Sequence, residues 1–182
     1  MGLIWEGEIL LWLQNELRCG VLDVFFTFYT RLGDAGLVWI VLSLGMLCHP
    51  KTRKAGLLGL GAMLMGLVCT NLILKPMVQR LRPWLVVEGL SALVAEGDPH
   101  SFPSGHTCAA FAAATAWWGN LPKRWMAHGA LVLAALMGFS RLYVGVHFPS
   151  DVLMGAAVGC LCGWATNRLS IHWSNRTKKT LH

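Results

Sequence analysis

From Ala55 to Leu74 the chain runs AGLLGLGAMLMGLVCTNLIL, twenty residues without a charged side chain. At about 1.5 Å per residue, a helix of this length reaches across a hydrocarbon core of about 30 Å. The rest of the chain agrees with a bilayer setting: 55% of its residues are hydrophobic and only 13% are charged. Ordinary soluble domains carry about a quarter charged residues. Further apolar segments lie near 20–32, 35–49, 104–120, 125–142 and 149–167. With 55–74 they predict six helices, and the fold class read from them is all-α, a polytopic membrane helix bundle. The first two are the least complete as crossings, because Asp23 interrupts one and the other is short.

Ahead of these segments, Trp5, Ile9, Trp12 and Leu13 recur at helical spacing among Glu6, Glu8 and Glu16, which predicts an amphipathic helix in the membrane interface over 1–19. No basic residue precedes Arg18, so a positively charged leader is not expected. The predicted organisation is therefore an interfacial helix at 1–19, a transmembrane core at 20–167 and a basic cytoplasmic tail at 168–182. The one long connection, 83–102, is half apolar and is expected along the outer interface.

Charge is distributed as membrane topology asks. The formal net charge of +6 is not gathered on one amphipathic stripe, which argues against a nucleic-acid partner. With alternating crossings, Lys51, Arg53, Lys54, Lys123, Arg124, Arg168, Arg176, Lys178 and Lys179 fall on one side, which the positive-inside rule makes cytoplasmic. Arg31, Lys75, Arg80, Arg82 and Arg141 then fall on the other side, against the rule, and need a reason to be there. The six cysteines contain no C-x-x-C pair and sit mostly in apolar runs, so they read as small hydrophobes with no disulfide framework or zinc site. Gly155, Gly159 and Gly163 repeat every four residues and offer a bare helix face for close packing.

Polar chemistry is confined to three islands. In KPMVQRLRP, Lys75 and Arg82 are seven apart and would share a helix face, although Pro76 biases Lys75 away from helical angles. In HSFPSGHT, Pro103, Ser104 and Gly105 open an apolar run, so free backbone N–H groups, the Ser104 hydroxyl and the neighbouring His106 are available to an anion. In SRLYVGVHFPSD, Asp151 follows His147 by one helical turn and can fix its tautomer, with the permanent charge of Arg141 nearby. Taken singly these are a lipid-facing basic cluster, a helix cap and a structural His–Asp pair. Taken together, the alternating topology brings all three to one face, where cations can hold phosphoryl oxygens, one histidine can attack phosphorus and another can protonate the departing oxygen.

The patterns K-x6-R-P, P-S-G-H and S-R-x5-H-x3-D, at Lys75–Pro83, Pro103–His106 and Ser140–Asp151, resemble the three signature motifs of the type 2 phosphatidic acid phosphatase superfamily, the lipid phosphate phosphatases. The resemblance implies His147 as a nucleophile forming phosphohistidine, Asp151 as its orienting partner and His106 as general acid. It further implies Lys75, Arg82 and Arg141 as ligands of the phosphoryl oxygens, with Ser104 and the Gly105 backbone assisting. It implies no metal and no other cofactor, and its partners are a lipid phosphate and the bilayer. The expected enzyme is a metal-independent lipid phosphatase, acting on phosphatidic acid, phosphatidylglycerol phosphate or undecaprenyl diphosphate at the extracytoplasmic face of a bacterial inner membrane. A phosphotransferase using the same site, and a non-catalytic lipid-binding or transport protein, stay open as other readings.

Overall fold

The computed structural model describes residues 4–179, with side chains described through Trp173, so the side chains of Arg176, Lys178 and Lys179 lie outside the described residues. All regular structure in it is helical, apart from one isolated antiparallel bridge between Leu81 and His100. Helix α1 spans Ile4–Trp12 and runs on as a wider turn over Leu13–Leu17. After it come α2 (Gly20–Leu32), α3 (Leu37–Leu47), α4 (Arg53–Val78), the short α5 (Pro83–Val86), α6 (Gly105–Trp117), α7 (Arg124–Tyr143) and α8 (Pro149–Lys179). Each of the six expected helices has a counterpart, and the last continues well into the 168–182 segment.

By length and composition α4 and α7 are each able to cross a membrane, and α4 holds the uncharged run. The first two expected helices behave differently from two separate crossings. They meet at a 51° bend, where Asp34–Gly36 forms one tight turn and Ala35 and Gly36 take positive φ. At the start of α2, Asp23 accepts from the Tyr143 hydroxyl at the far end of α7 (2.7 Å). In α3, Trp39 packs against Trp117 at the last turn of α6, with ring centroids 5.8 Å apart. The bent pair therefore travels from one end of the bundle to the other.

α6 is the hub, packed against α8, α4 and α7. Its Ala110, Ala112, Ala113, Ala114 and Ala116 are completely buried, because small side chains let neighbouring backbones approach. The glycine repeat of α8 brings two backbones into close approach. A Cβ at Gly155 would lie 2.5 Å from the Ser104 carbonyl oxygen, and one at Gly159 would lie 2.5 Å from that of Cys108. The expected bare face is thus pressed on the backbone of α6, and it sets where Ser104 stands relative to Asp151.

The two ends of the bundle differ in chemistry. At one end the start of α4, the end of α6 and the middle of α8 come together, as the Asn120–Asn167 hydrogen bond (2.9 Å) records, and the described basic residues of the predicted cytoplasmic set lie around it. At the opposite end α4 and α7 finish while α6 and α8 begin. α1 lies across that second end, its Leu10 and Leu13 packed with Leu90 and Phe148, while Ile4, Trp5 and Trp12 remain exposed.

The backbone contact at Gly159 yields a direct expectation. Gly159→Leu should lower the thermal midpoint in detergent markedly, since overpacking costs about 1–3 kcal/mol and backbone atoms cannot step aside. Gly129→Ala, in α7 with nothing within 4 Å of the added carbon, should hold or raise it.

Candidate active site

α4 delivers the first island by a route that its proline made hard to foresee. Instead of breaking, the helix widens over Val68–Leu74 into five-residue hydrogen-bonded turns, and Lys75 keeps helical angles (φ −63, ψ −47). The wider turn gives the Pro76 ring room beside the preceding carbonyls, where a regular helix would clash. The helix stops at Gln79, which is left-handed (φ 48), and Arg82 is extended. Lys75 and Arg82 therefore do not share a helix face. They converge because the chain turns back, paired through Arg82 N–H to Pro99 O (3.0 Å) and Ser101 N–H to Arg80 O (2.7 Å).

Arg82 is 2% exposed, and its guanidinium donates to the carbonyls of Asp98 (2.6 Å) and Val146 (3.1 Å). Its Nη1 lies 3.4 Å from His147 Nε2. Arg141, in the last turn of α7, is 1% exposed and donates to the Thr30 hydroxyl and, through a very short contact, to Glu96 Oε1. The other Glu96 oxygen is 3.2 Å from Arg82 Nη2, while Lys75 pairs with Asp98 at 2.8 Å. Burial pushes the Glu96 carboxyl upward, yet Arg141 and Arg82 outweigh it and hold the pKa below the ordinary carboxylate value. The 83–102 connection is thus not merely laid along an interface: it supplies the counter-charges of the site.

His147 sits in the buried turn between α7 and α8. Its Nδ1 lies 3.6 Å from Asp151 Oδ2, beyond hydrogen-bond reach, which leaves Nδ1 without a partner. Burial first, then the charges of Arg141 and Arg82, hold its pKa well below that of free imidazole. Asp151, wholly buried, accepts from the Phe148 N–H (2.8 Å) and from Arg80 (2.8 Å). His106, in the first turn of α6, has its Nε2 3.0 Å from Asp34 in the bend between α2 and α3.

One cavity of about 600 Å³ is lined by Lys75, Arg82, Glu96, Asp98, Gly105, His106 and His147. All three islands reach it. Away from them its wall turns apolar, through Ile40, Leu60, Met63, Leu64, Leu67 and Ala109. Ser104 is not on this wall. Its hydroxyl oxygen caps α6, accepting from Thr107 N (3.4 Å) and the Thr107 hydroxyl (2.9 Å), while its own N–H donates to Asp151 O (3.0 Å). Arg141 and Asp151 also stand behind the wall, the first reaching it through Glu96 and the second through His147.

Several residues escaped the motif reading. Arg80 bridges Asp151 and the buried Glu6 of α1 (2.8 and 2.6 Å) and lies over the Phe148 ring at 3.9 Å. Glu6 also accepts from Ser150 N–H (2.8 Å). The available signals were a basic residue on the disfavoured side, an acid in an apolar helix, and the acidic E-G-D just before the second island. Asp34 carried no signal, since only the bend brings it to His106.

A family model described as the PAP2 superfamily matches residues 56–175. The undecaprenyl-diphosphatase of Sulfolobus acidocaldarius is 30% identical over 147 residues, covering 81% of this chain and 70% of that protein. Among solved structures, Aquifex aeolicus LpxE superposes with a TM-score of 0.76 at 32% identity, covering 88% of this chain and 93% of that one. The first transmembrane PAP2 type phosphatidylglycerolphosphate phosphatase from Bacillus subtilis gives a TM-score of 0.75 at 30% identity, covering 92% and 85%.

The Glu6–Arg80–Asp151 chain should dominate the stability of this end of the bundle. Removing one partner of a buried ion pair costs about 3–5 kcal/mol. Arg80→Met, which strips two buried carboxylates of their cation, should lower the thermal midpoint more than Glu6→Gln, whose amide oxygen can still accept from Ser150 N–H.

Proposed function

The chain belongs to the PAP2 superfamily, and on that premise we propose that it is an integral-membrane lipid phosphatase, cleaving a lipid phosphomonoester or diphosphate through a phosphohistidine intermediate. The observation that carries the proposal is the shared cavity: both histidines and two cations line a void whose far wall is apolar, so a phosphate and its lipid tail have adjoining places. Undecaprenyl diphosphate, phosphatidylglycerol phosphate and phosphatidic acid all suit that shape.

In this reading Lys75, Arg82 and Arg141 hold the nonbridging oxygens and stabilise the charge that grows on them in the transition state. The Nε2 lone pair of His147 forms a bond to phosphorus as the bond to the bridging oxygen breaks, and His106 gives that oxygen a proton. Water then attacks phosphorus, passing a proton to His106 as the phosphorus–nitrogen bond breaks and inorganic phosphate leaves. Asp151, held by Arg80 and the Phe148 N–H, keeps the Nδ1 side of His147 oriented and offsets the positive charge of the intermediate. The Gly105 backbone at the start of α6 adds N–H groups, and Ser104 contributes by capping that helix.

We place the site at the extracytoplasmic face of the inner membrane, with the lysine- and arginine-bearing end in the cytoplasm. We read α2 and α3 as a single broken crossing that starts at the site end, in place of the first two expected crossings. α1 then lies in the outer interface with Ile4, Trp5 and Trp12 toward the bilayer, whereas six alternating crossings would have left the 1–19 segment on the cytoplasmic side.

Purified protein should release phosphate from a panel of the three lipids in the presence of EDTA. His147→Ala should abolish release and the acid-labile phosphoprotein, while Asp151→Asn should leave a residue of activity, reduced about 10²- to 10⁴-fold. Turnover persisting in the His147 variant would refute the mechanism. The nucleophile must be neutral, and a depressed pKa keeps it neutral as pH falls. The acid limb of kcat/KM assigned to His147 should therefore lie well below pH 6.5, the ordinary imidazole value.

A further inference from the structure

Every permanent cation assigned to phosphate is already engaged by an acid, and both acids come from the same connection. Glu96 spans Arg141 and Arg82 with its two oxygens, and Asp98 holds Lys75 at 2.8 Å. A carboxylate set across two guanidinium groups reproduces the way two nonbridging phosphate oxygens would meet them. Glu96 also lines the cavity beside His147. Its side chain is 19% exposed, against 1% and 3% for its two arginine partners, so it is the member of the cluster with a path to water.

We propose that Glu96 is a specificity-determining residue: its carboxylate occupies the phosphate position of the free enzyme, and an incoming phosphate must displace it. Asp98 does the same at Lys75, more weakly, because its side chain is 41% exposed. The inference rests on the phosphatase reading above and adds a selection rule to it. A phosphomonoester, or the terminal phosphate of a diphosphate, brings up to two negative charges and gains by exchanging with a carboxylate that brings one. A phosphodiester brings a single charge and gains nothing. An enzyme working among densely packed phosphodiester headgroups would thereby keep its cations from being occupied by ordinary phospholipid, while the resident carboxylate keeps the buried arginines compensated between turnovers.

The test compares wild type with Glu96→Gln in mixed micelles. Inorganic phosphate is the competitive probe, and phosphatidylglycerol, a phosphodiester, is the challenge lipid. Removing one competing carboxylate should lower the Ki of phosphate and the KM of substrate together by about tenfold, with no rise in kcat, and should make phosphatidylglycerol an inhibitor where wild type ignores it. Glu96→Asp, which keeps the charge, should stay nearer wild type. A phosphate Ki that stays the same or rises in Glu96→Gln overturns the displacement. A lowered Ki with phosphatidylglycerol still inert overturns the selection rule. Should Glu96→Gln not fold, Asp98→Asn carries the same test at an exposed pair, with a fall of about threefold expected and an unchanged Ki again overturning the proposal. Failure of wild type to turn over any lipid phosphate would instead remove the underlying phosphatase reading.

Discussion

Two guanidinium groups withdrawn almost entirely from water, Arg82 and Arg141, dictate the arrangement of everything at their end of the bundle. A buried cation costs several kcal/mol unless hydrogen bonds and opposite charge surround it. Here the compensation comes from four groups on three separate segments: Thr30 of α2, Glu96 and the Asp98 carbonyl of the connection before α6, and the Val146 carbonyl of the turn before α8. Satisfying the two arginines thus requires those segments to be brought together. The polar end is organised by charge, whereas the body of the bundle is organised by alanine and glycine contacts between α6, α4 and α8.

Signs alternate through the site. Glu6 meets Arg80, Arg80 meets Asp151, Asp151 faces His147, His147 borders Arg82, and Glu96 closes the series between Arg82 and Arg141. Each member is stabilised by neighbours of the other sign or by a neutral ring, so no like charges are left to repel unscreened in a dry setting. The order also explains why α1 matters. Its buried glutamate anchors the outermost cation and so steadies, at two removes, the histidine that faces the cavity.

Much of this was readable from residue types and spacing. The uncharged run became α4, the glycine repeat of α8 became a close backbone contact with α6, and the three islands reached one void, because each signal is local or repeats with helical period. The failures were non-local. Pro76 was expected to take Lys75 out of the helix, and a widened turn kept it in. Arg82 was expected on the same helix face as Lys75, and a reversal of chain direction brought it back instead. The segments 20–32 and 35–49 looked like two helices of separate standing, whereas the bend at Asp34–Gly36 makes them one continuous path and carries Asp34 to His106.

Sequence alone determined that the chain is a helical membrane protein and which histidines, cations and carboxylate are the candidates for its chemistry, because hydrophobic run length and motif spacing are properties of consecutive residues. Only the tertiary structure decided which acids answer those cations, which hydroxyl caps a helix instead of facing the cavity, and where an apolar slot adjoins the polar one. Those matters depend on distances between residues far apart in the chain. The distances are set by how closely glycine and alanine faces pack and by the need of each buried charge for a partner, neither of which is written at any single position.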